Sequence, residues 1–91
     1  MHVWPAKDPN EFLDYQVSWT DRLVAGETIA TSNFTVVAGT ITLSNPSFAA
    51  GITTVWIAGG AVGETAEVLN RITTSTGRIY DETVKLKIRS K

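Results

Sequence analysis

Residues 58–65, AGGAVGET, have the glycine content of a loop that could hold a phosphate group. Backbone N–H groups in such loops bind phosphate oxygens, but a phosphate loop also needs a lysine and a following helix. Here Glu64 follows the last glycine, and the next residues alternate as they do in a strand. We therefore interpret Gly59 and Gly60 as part of a connection between two strands, and we predict no cofactor.

The titratable side chains also give no catalytic or metal-binding pattern. His2 is the only histidine and cysteine is absent, so histidine-dependent triads and cysteine-containing zinc sites have no residues to use. Asn70 lies between Val68 and Ile72 on an apolar strand face, where we expect it to be buried and hydrogen-bonded to neighbouring backbone. Four carboxylates offer a formal glycosidase pair, but their exposed strand positions favour simple solvation: Glu64, Glu67, Asp81 and Glu82. We predict that the protein is not an enzyme.

The length and the charge of the chain restrict its class and its partners. Ninety-one residues correspond to one small domain. Eight basic residues against nine acidic residues give a formal net charge of −1. Nucleic-acid binding needs a basic stripe, and electrostatic membrane binding needs a basic face. We therefore expect neither nucleic acid nor a membrane as a partner.

The N-terminal part of the chain predicts one short helix. Asp8 can cap it, Pro9 suits its first position, and Glu11 lies three residues after the cap. We predict a single helical turn over residues 8–13. Together with Asp14, these carboxylates lack the ligand pattern and central glycine of a calcium loop, which favours capping over metal binding.

The remainder of the chain predicts strands. Thirteen threonines, nine valines and seven isoleucines favour a pleated, half-buried surface. Alternation predicts strands over residues 15–20, 28–37, 41–45, 52–58, 67–74 and 80–88. We expect a bulge between Ile29 and Phe34, a strand end at Pro46, and a hairpin turn at residues 75–78 in which Gly77 has a positive φ.

Short strands at this spacing are typical of an all-β protein, an immunoglobulin-like β-sandwich of about six or seven antiparallel strands. The sandwich is preceded by a short N-terminal arm and the one helical turn. We divide the chain into the arm, residues 1–6, and an immunoglobulin-like domain, residues 7–91.

Tryptophans outside the predicted core indicate where a partner could bind. Trp19 shares the core face of its strand, whereas Trp56 points away from that face, either at a sheet edge or available to a partner. Val3 and Trp4 precede the periodic strands, so we expect an arm with no strand to pair with that docks on a neighbouring protein. Partial burial of these tryptophans is the alternative.

The predicted partner-binding residues are Val3, Trp4, Trp56, Gly59 and Gly60. A further contact is expected through residues 45–51 and 59–64, which we place together at one end of the sandwich.

Four segments carry a distinctive pattern: KDPNEFLDYQVSW, GETIATSNFTV, TTVWIAGG and GETAEVLNRITTSTGRIYDETVKLKIR. Through them the chain resembles, from Lys7 to Arg89, a family of short bacteriophage virion structural proteins described as fibre–tail adaptors. The resemblance implies a virion component whose partners are other virion proteins in multiple symmetric copies. Ala66 departs from the aromatic residue that such sandwiches often carry at the strand entry, so we expect that corner to be packed differently.

Three functions are compatible with these observations. The first, implied by the resemblance, is an adaptor that attaches fibres to the tail or neck of a virion. The second is a capsid cement or decoration protein, and the number of copies per particle would separate it from the first. The third is a carbohydrate-binding module with Trp56 as a stacking platform, which would require several aromatic residues on one exposed face.

Overall fold

A computed structural model describes residues 2–91 as seven β-strands. The strands are β1 (His2–Lys7), β2 (Leu13–Ser18), β3 (Ile29–Ala38), β4 (Ile41–Ala49), β5 (Ile52–Gly59), β6 (Thr65–Thr74) and β7 (Ile79–Ile88). The described residues contain no helix. The predicted all-β class is confirmed.

The strands form two sheets that enclose one hydrophobic core. The first sheet has the strand order β1-β7-β6-β3, and the second has the order β2-β5-β4. This is the arrangement of an immunoglobulin constant domain in which the first strand lies beside the last. The predicted sandwich is therefore confirmed, although the β1–β7 pair is parallel and not antiparallel.

The core follows from the alternation along the central strands. On β6 the predicted inner face of Val68, Asn70, Ile72 and Thr74 is buried. The facing and neighbouring strands contribute further residues with almost no exposed surface: Val55, Ile57, Val84, Leu86 and Ile88. Gly77 has a φ of 89° in the turn between β6 and β7, as the hairpin requires.

Two strands bend near the expected positions. The pairing of β3 with β6 shifts between Ile29 and Thr31, which confirms the predicted bulge. β4 does not end at Pro46 but runs through it, and its pairing with β5 is irregular between Ser44 and Ser47. Because β4 is an edge strand, it accommodates a proline that cannot donate a hydrogen bond. The predicted strand end is wrong for this reason.

The predicted helical turn at residues 8–13 is a hydrogen-bonded turn that does not continue as a helix. Glu11 N donates to Asp8 O at 3.0 Å, Asp8 N donates to Glu11 Oε1 at 2.8 Å, and Asn10 N donates to Asp8 Oδ1 at 2.8 Å. These are the bonds expected of a cap, but Leu13 already pairs with Ile57 of β5. Too few residues remain to nucleate a helix, so the helix prediction is wrong.

The N-terminal segment is a strand of the sandwich. Residues 2–7 form β1 and pair with β7, with His2 opposite Val84 and Trp4 opposite Leu86. Met1 lies outside the described residues. The expectation that the arm has no strand to pair with is therefore wrong for residues 2–6. The pattern was too short to show alternation, and the pairing strand lies at the other end of the sequence.

Trp4 closes the sandwich between β1 and β2. Its side chain is 5% exposed and stacks on Tyr15, with 5.0 Å between the ring centroids. Trp4 Nε1 donates to Gln16 O at 2.8 Å, and the Tyr15 hydroxyl donates to Pro5 O at 3.1 Å. Trp4 is therefore part of the domain core, and the two hydrogen bonds link β1 to β2.

We predict that Trp4→Ala lowers the free energy of unfolding by about 3–5 kcal/mol, because it leaves a cavity and an unpaired Gln16 carbonyl. Urea denaturation of the purified protein measures this change. The matched control is Val3→Ala on the same strand, where the side chain is 59% exposed and the expected change is within about 0.5 kcal/mol. Equal effects of the two substitutions would contradict the placement of Trp4 in the core.

Asn70 is the centre of a buried polar network. Its Oδ1 accepts from Trp19 Nε1 at 3.0 Å and from the Thr53 hydroxyl at 2.6 Å. Its Nδ2 donates to Ser32 Oγ at 3.0 Å and to Asn33 O at 3.1 Å. The predicted burial is confirmed, but the prediction of backbone partners is correct only for Asn33. The other three partners are side chains that converge through the tertiary fold.

We predict that Asn70→Ala costs about 1–3 kcal/mol of unfolding free energy, because the Trp19 indole N–H and the neighbouring hydroxyls lose their partner in a buried site. Thermal and urea unfolding test this. Gln16→Ala, at an exposed position of β2, serves as the control and should change stability by about 0.5 kcal/mol or less. A neutral Asn70→Ala would show that the network does not stabilise the fold.

Ala66 is small because a turn packs on it. It is fully buried at the start of β6, beneath the connection between β3 and β4. A Cβ added to Gly39 would lie 2.9 Å from Ala66 Cβ, and Gly39 itself has a φ of 110°. An aromatic side chain at position 66 has no room against this turn.

Candidate partner-binding surfaces

The five predicted partner-binding residues do not form one surface. Val3 lies on the outer face of the four-stranded sheet, opposite Lys85 of β7. Its neighbour Trp4 points into the core and is not accessible to a partner. Trp56 lies on the outer face of the other sheet, between Asp14 of β2 and Ser44 of β4. Val3 and Trp56 are therefore on opposite faces of the sandwich.

Gly59 and Gly60 are explained by packing within the domain. The Gly59 carbonyl accepts a hydrogen bond from Lys7 Nζ at 2.7 Å, and this lysine is fully buried. Burial lowers the pKa of Lys7, while the carboxylates of Glu11 and Asp8 oppose that effect. A Cβ on Gly60 would lie 2.9 Å from Ile88 Cγ1, so only glycine fits there without a shift.

The two segments predicted to share one end of the sandwich lie at opposite ends. The β4–β5 turn adjoins the β2–β3 loop, where Trp19 N donates to Gly51 O at 2.8 Å. The β5–β6 loop adjoins the C-terminus, where Gly63 N donates to Ile88 O at 2.9 Å. The prediction is wrong because both segments flank β5, and a strand separates its two ends by its full length.

An exposed aromatic pair is the most distinct feature of the outer surface. Phe12, which is 51% exposed, stacks on the half-buried Trp56 with 5.0 Å between the ring centroids. We call these two residues the aromatic patch. Sequence reasoning identified Trp56 but missed Phe12, because it assigned Phe12 to a helix. The residue directly precedes β2, and that strand position was the available signal.

The surface beside the aromatic patch is almost neutral. The outward residues of β2 and β5 alternate with the buried ones, whereas most of β4 is exposed, and the outward residues of the three strands include one charged side chain, Asp14. The others near Trp56 are small or polar: Gln16, Ser18, Thr42, Ser44, Thr54 and Ala58. A patch of two aromatic rings on such a surface has the composition of a protein-binding site.

A second candidate surface is an open cleft of about 400 Å³ at the end of the sandwich that carries the β2–β3 loop. Its apolar wall includes Leu23, Val24 and Phe48, of which the last two are exposed. The carboxylate of Glu27 also lies in this wall. The cleft is thus mostly apolar with one buried acidic group.

Glu27 is satisfied by three donors of the surrounding loops. Its Oε2 accepts from the Thr74 hydroxyl at 2.6 Å and from the Thr76 hydroxyl, and its Oε1 accepts from Val24 N at 3.1 Å. The Thr74 and Thr76 bonds hold the pKa of the Glu27 carboxyl below its ordinary value. A carboxylate that stays ionised and accepts three hydrogen bonds has a structural role. Glu27 holds the surrounding loops together and has neither the proton of a catalytic acid nor the raised pKa of a catalytic base.

Comparison with known families shows where this sandwich belongs. Residues 7–87 match the family described as podophage GP4 fiber-tail adaptor protein gp77. The chain belongs to this family. The match begins at the last residue of β1 and ends one residue before the end of β7. Among curated proteins, none matches the chain.

The fibre–tail adaptor family match agrees with the sequence-based resemblance, which ran from Lys7 to Arg89.

Within residues 2–91, no three His, Cys, Asp or Glu side chains come together in a group that could hold a metal ion. The described part of the chain also contains no helix with the length and hydropathy required to span a membrane.

We predict that the protein loses stability as the pH falls below about 4.5, the ordinary pKa of a glutamate. Because the pKa of Glu27 is lowered in the folded state, its ionised form stabilises the fold above that pH. This contribution is lost as the pH falls through the folded pKa. The pKa of Glu64 is lowered as well, chiefly by its bond from Thr40 N.

Thermal unfolding between pH 7 and pH 3 tests this prediction. Glu27→Gln should unfold at a lower temperature at pH 7 and show a smaller loss on acidification than the natural protein. Gln16→Ala, at an exposed and uncharged position of β2, serves as the control and should show the pH dependence of the natural protein. A Glu27→Gln curve parallel to that of the natural protein would contradict the assigned role of Glu27.

Proposed function

We propose that this protein is a non-enzymatic component of a bacteriophage virion, an adaptor that attaches fibres to the tail or neck. The observation that carries the proposal is the family match over residues 7–87, which spans nearly the whole sandwich. The matched family is named for an adaptor, so we do not extend the proposal to a capsid cement protein or a carbohydrate-binding module. The partners are other virion proteins, present in multiple symmetric copies.

The structural features that support the proposal are those of a rigid binding module. The turns at one end are fastened by side chains: Glu64 Oε2 accepts from the Thr40 hydroxyl at 2.8 Å and from Ala61 N at 3.0 Å. At the other end, Glu27 ties the β2–β3 loop to the β6–β7 turn. Loops held in this way lose little conformational entropy when a partner binds.

We propose the aromatic patch as the main contact with a neighbouring virion protein. Phe12 and Trp56 present large apolar area on a neutral face, and aromatic residues dominate the binding energy of interfaces. Val3 is accessible on the opposite face and is proposed as a contact with a second neighbour. An adaptor must hold two proteins at once, and contacts on opposite faces allow this.

We predict that Trp56→Ala weakens attachment to the particle by roughly 30-fold, the equivalent of about 2 kcal/mol at an interface hot spot. The experiment complements a phage that lacks this protein with each variant and measures the protein and the fibres in purified particles by quantitative mass spectrometry. Phe12→Ala should have a similar effect, because it removes the ring that Trp56 stacks on.

The matched control is Ile79→Ala, which removes an exposed apolar side chain at the start of β7, away from Lys85, the residue that lies opposite the proposed contact Val3. It should be incorporated normally, and thermal unfolding should show that all three variants fold. Normal incorporation of Trp56→Ala would exclude the aromatic patch as the contact. Particles that lack the protein but keep their fibres would overturn the adaptor function itself.

A further inference from the structure

The side of the sandwich formed by β3 and β4 carries no ionisable side chain. From Thr28 to Gly63 the chain contains no Asp, Glu, Lys, Arg or His. This interval includes all of β3, β4 and β5, and β3 and β4 are edge strands joined by a short turn. Natural proteins protect edge strands with charges, prolines, bulges or covering side chains, because a free edge pairs with other chains.

Three of the four sheet edges are protected in this way. The edge strand β1 contains Pro5, whose carbonyl accepts the Tyr15 hydroxyl. On the edge strand β2, Gln16 O accepts the Trp4 indole N–H. The edge strand β4 contains Pro46 within an irregular stretch of pairing. Each of these strands has lost part of the regular row of backbone groups that another strand would need.

The fourth edge, on β3, contains no proline, and its central segment carries one side-chain bond to a backbone group, from Asn70 Nδ2 to Asn33 O. Between its two bulges the strand pairs regularly with β6 from Thr31 to Val36, and no strand lies on its other side among the described residues. The segment contains no proline, no glycine and no charge. Six residues correspond to about 20 Å of strand. The edge is therefore long enough for a stable set of interstrand hydrogen bonds.

We propose that β3 pairs antiparallel with β3 of a second copy of this chain, joining two four-stranded sheets into one sheet of eight strands. The backbone N–H and C=O groups on the outer side of an edge strand fit an extended strand and little else, and a carbonyl such as Asn33 O, with two lone pairs, can accept a second hydrogen bond. A second copy presents the same uncharged strand, so no unpaired charge is buried. Since each chain has a single open edge, the pairing closes as a twofold dimer and cannot grow further.

The side chains of β3 are self-complementary in such a pair. A twofold axis at Asn33 places Thr31 of one copy opposite Thr35 of the other on the outer face, and paired threonines stabilise antiparallel strands. On the same side, a cleft of about 190 Å³ opens between β3 and β4 and is lined in part by Phe34, Leu43 and Pro46. The second copy would cover this uncharged cleft.

Sedimentation equilibrium of the purified full chain tests the proposal independently of any role in the virion. We expect the mass of two chains at micromolar concentration for the natural protein. Thr35→Lys, at an exposed position on β3, should give the mass of one chain, since it puts a lysine on the edge strand, the charge with which natural proteins block pairing at a sheet edge. Gln16→Lys, at an exposed position of the protected edge strand β2, should remain dimeric.

Cysteine substitutions test the pairing strand directly, because the chain has no natural cysteine. With the twofold axis at Asn33, this position meets its own copy, so Asn33→Cys should form a disulfide dimer readily on mild oxidation. Thr31→Cys and Thr35→Cys, each of which faces the other position in the second copy, should cross-link far more slowly. Val3→Cys, exposed on the opposite edge of the same sheet, should not.

A natural protein that sediments as one chain would overturn the proposal. It would also be overturned by a dimer that Thr35→Lys leaves intact, or by cross-linking of Val3→Cys as fast as that of Asn33→Cys. Thermal unfolding of each variant shows that the monomeric forms are folded. Loss of the dimer with normal fibre attachment would leave the adaptor function in place and show that the two properties are separate.

Discussion

The two sheets are held in register by the hydrogen bonds of one buried amide. Asn70 projects from β6 into the core. Its oxygen accepts hydrogen bonds from Thr53 of β5 and from Trp19, which directly follows β2. Its nitrogen donates to Ser32 and Asn33 of β3. A buried amide that loses a partner pays a desolvation penalty, so only one relative position of the sheets satisfies all four bonds. The apolar residues around Asn70 favour contact between the two sheets in many relative positions, whereas the hydrogen-bond network selects one of these positions.

At the ends of the sandwich, carboxylates stabilise the loops between strands by accepting hydrogen bonds. Glu27, Glu64 and Glu11 each accept backbone N–H groups of a turn. Hydrogen bonds lower the pKa of all three carboxyls, chiefly from the Thr74 and Thr76 hydroxyls for Glu27 and from backbone N–H groups for Glu64 and Glu11. These turns would otherwise leave donors without partners. A domain of this size has a small core, so loops fastened by hydrogen bonds contribute to a surface that keeps its shape when a partner binds.

The distribution of charge separates two kinds of surface. Charged residues lie in the N-terminal and C-terminal parts of the chain, which supply β1, β2, β6 and β7, whereas the middle of the chain supplies a neutral side. The aromatic patch joins both parts, because Phe12 precedes β2 and Trp56 belongs to β5. For a member of a fibre–tail adaptor family, separate surfaces of different character suit contacts with different neighbours.

Much of the architecture could be predicted from the sequence. Period-2 alternation located the central strands, their buried faces and the turn at Gly77, because burial of one face of a strand is a local pattern. The bulge in β3 was visible as a change of phase after Ile29. The same alternation placed Asn70 in the core and Trp56 outside it. The family resemblance was equally a property of the linear sequence.

Tertiary structure decided what depends on residues far apart in the chain. β1 is a strand only because β7 pairs with it, and six residues at a terminus carry no period that could reveal this. Trp4 therefore belongs to the core and not to a partner. Strand order likewise decides three other features. It determines the partners of Asn70 and the stacking of Phe12 on Trp56. It also separates the β4–β5 turn from the β5–β6 loop by the length of β5. Local alternation fixes which side of a strand is buried, but pairing between distant strands fixes which residues meet.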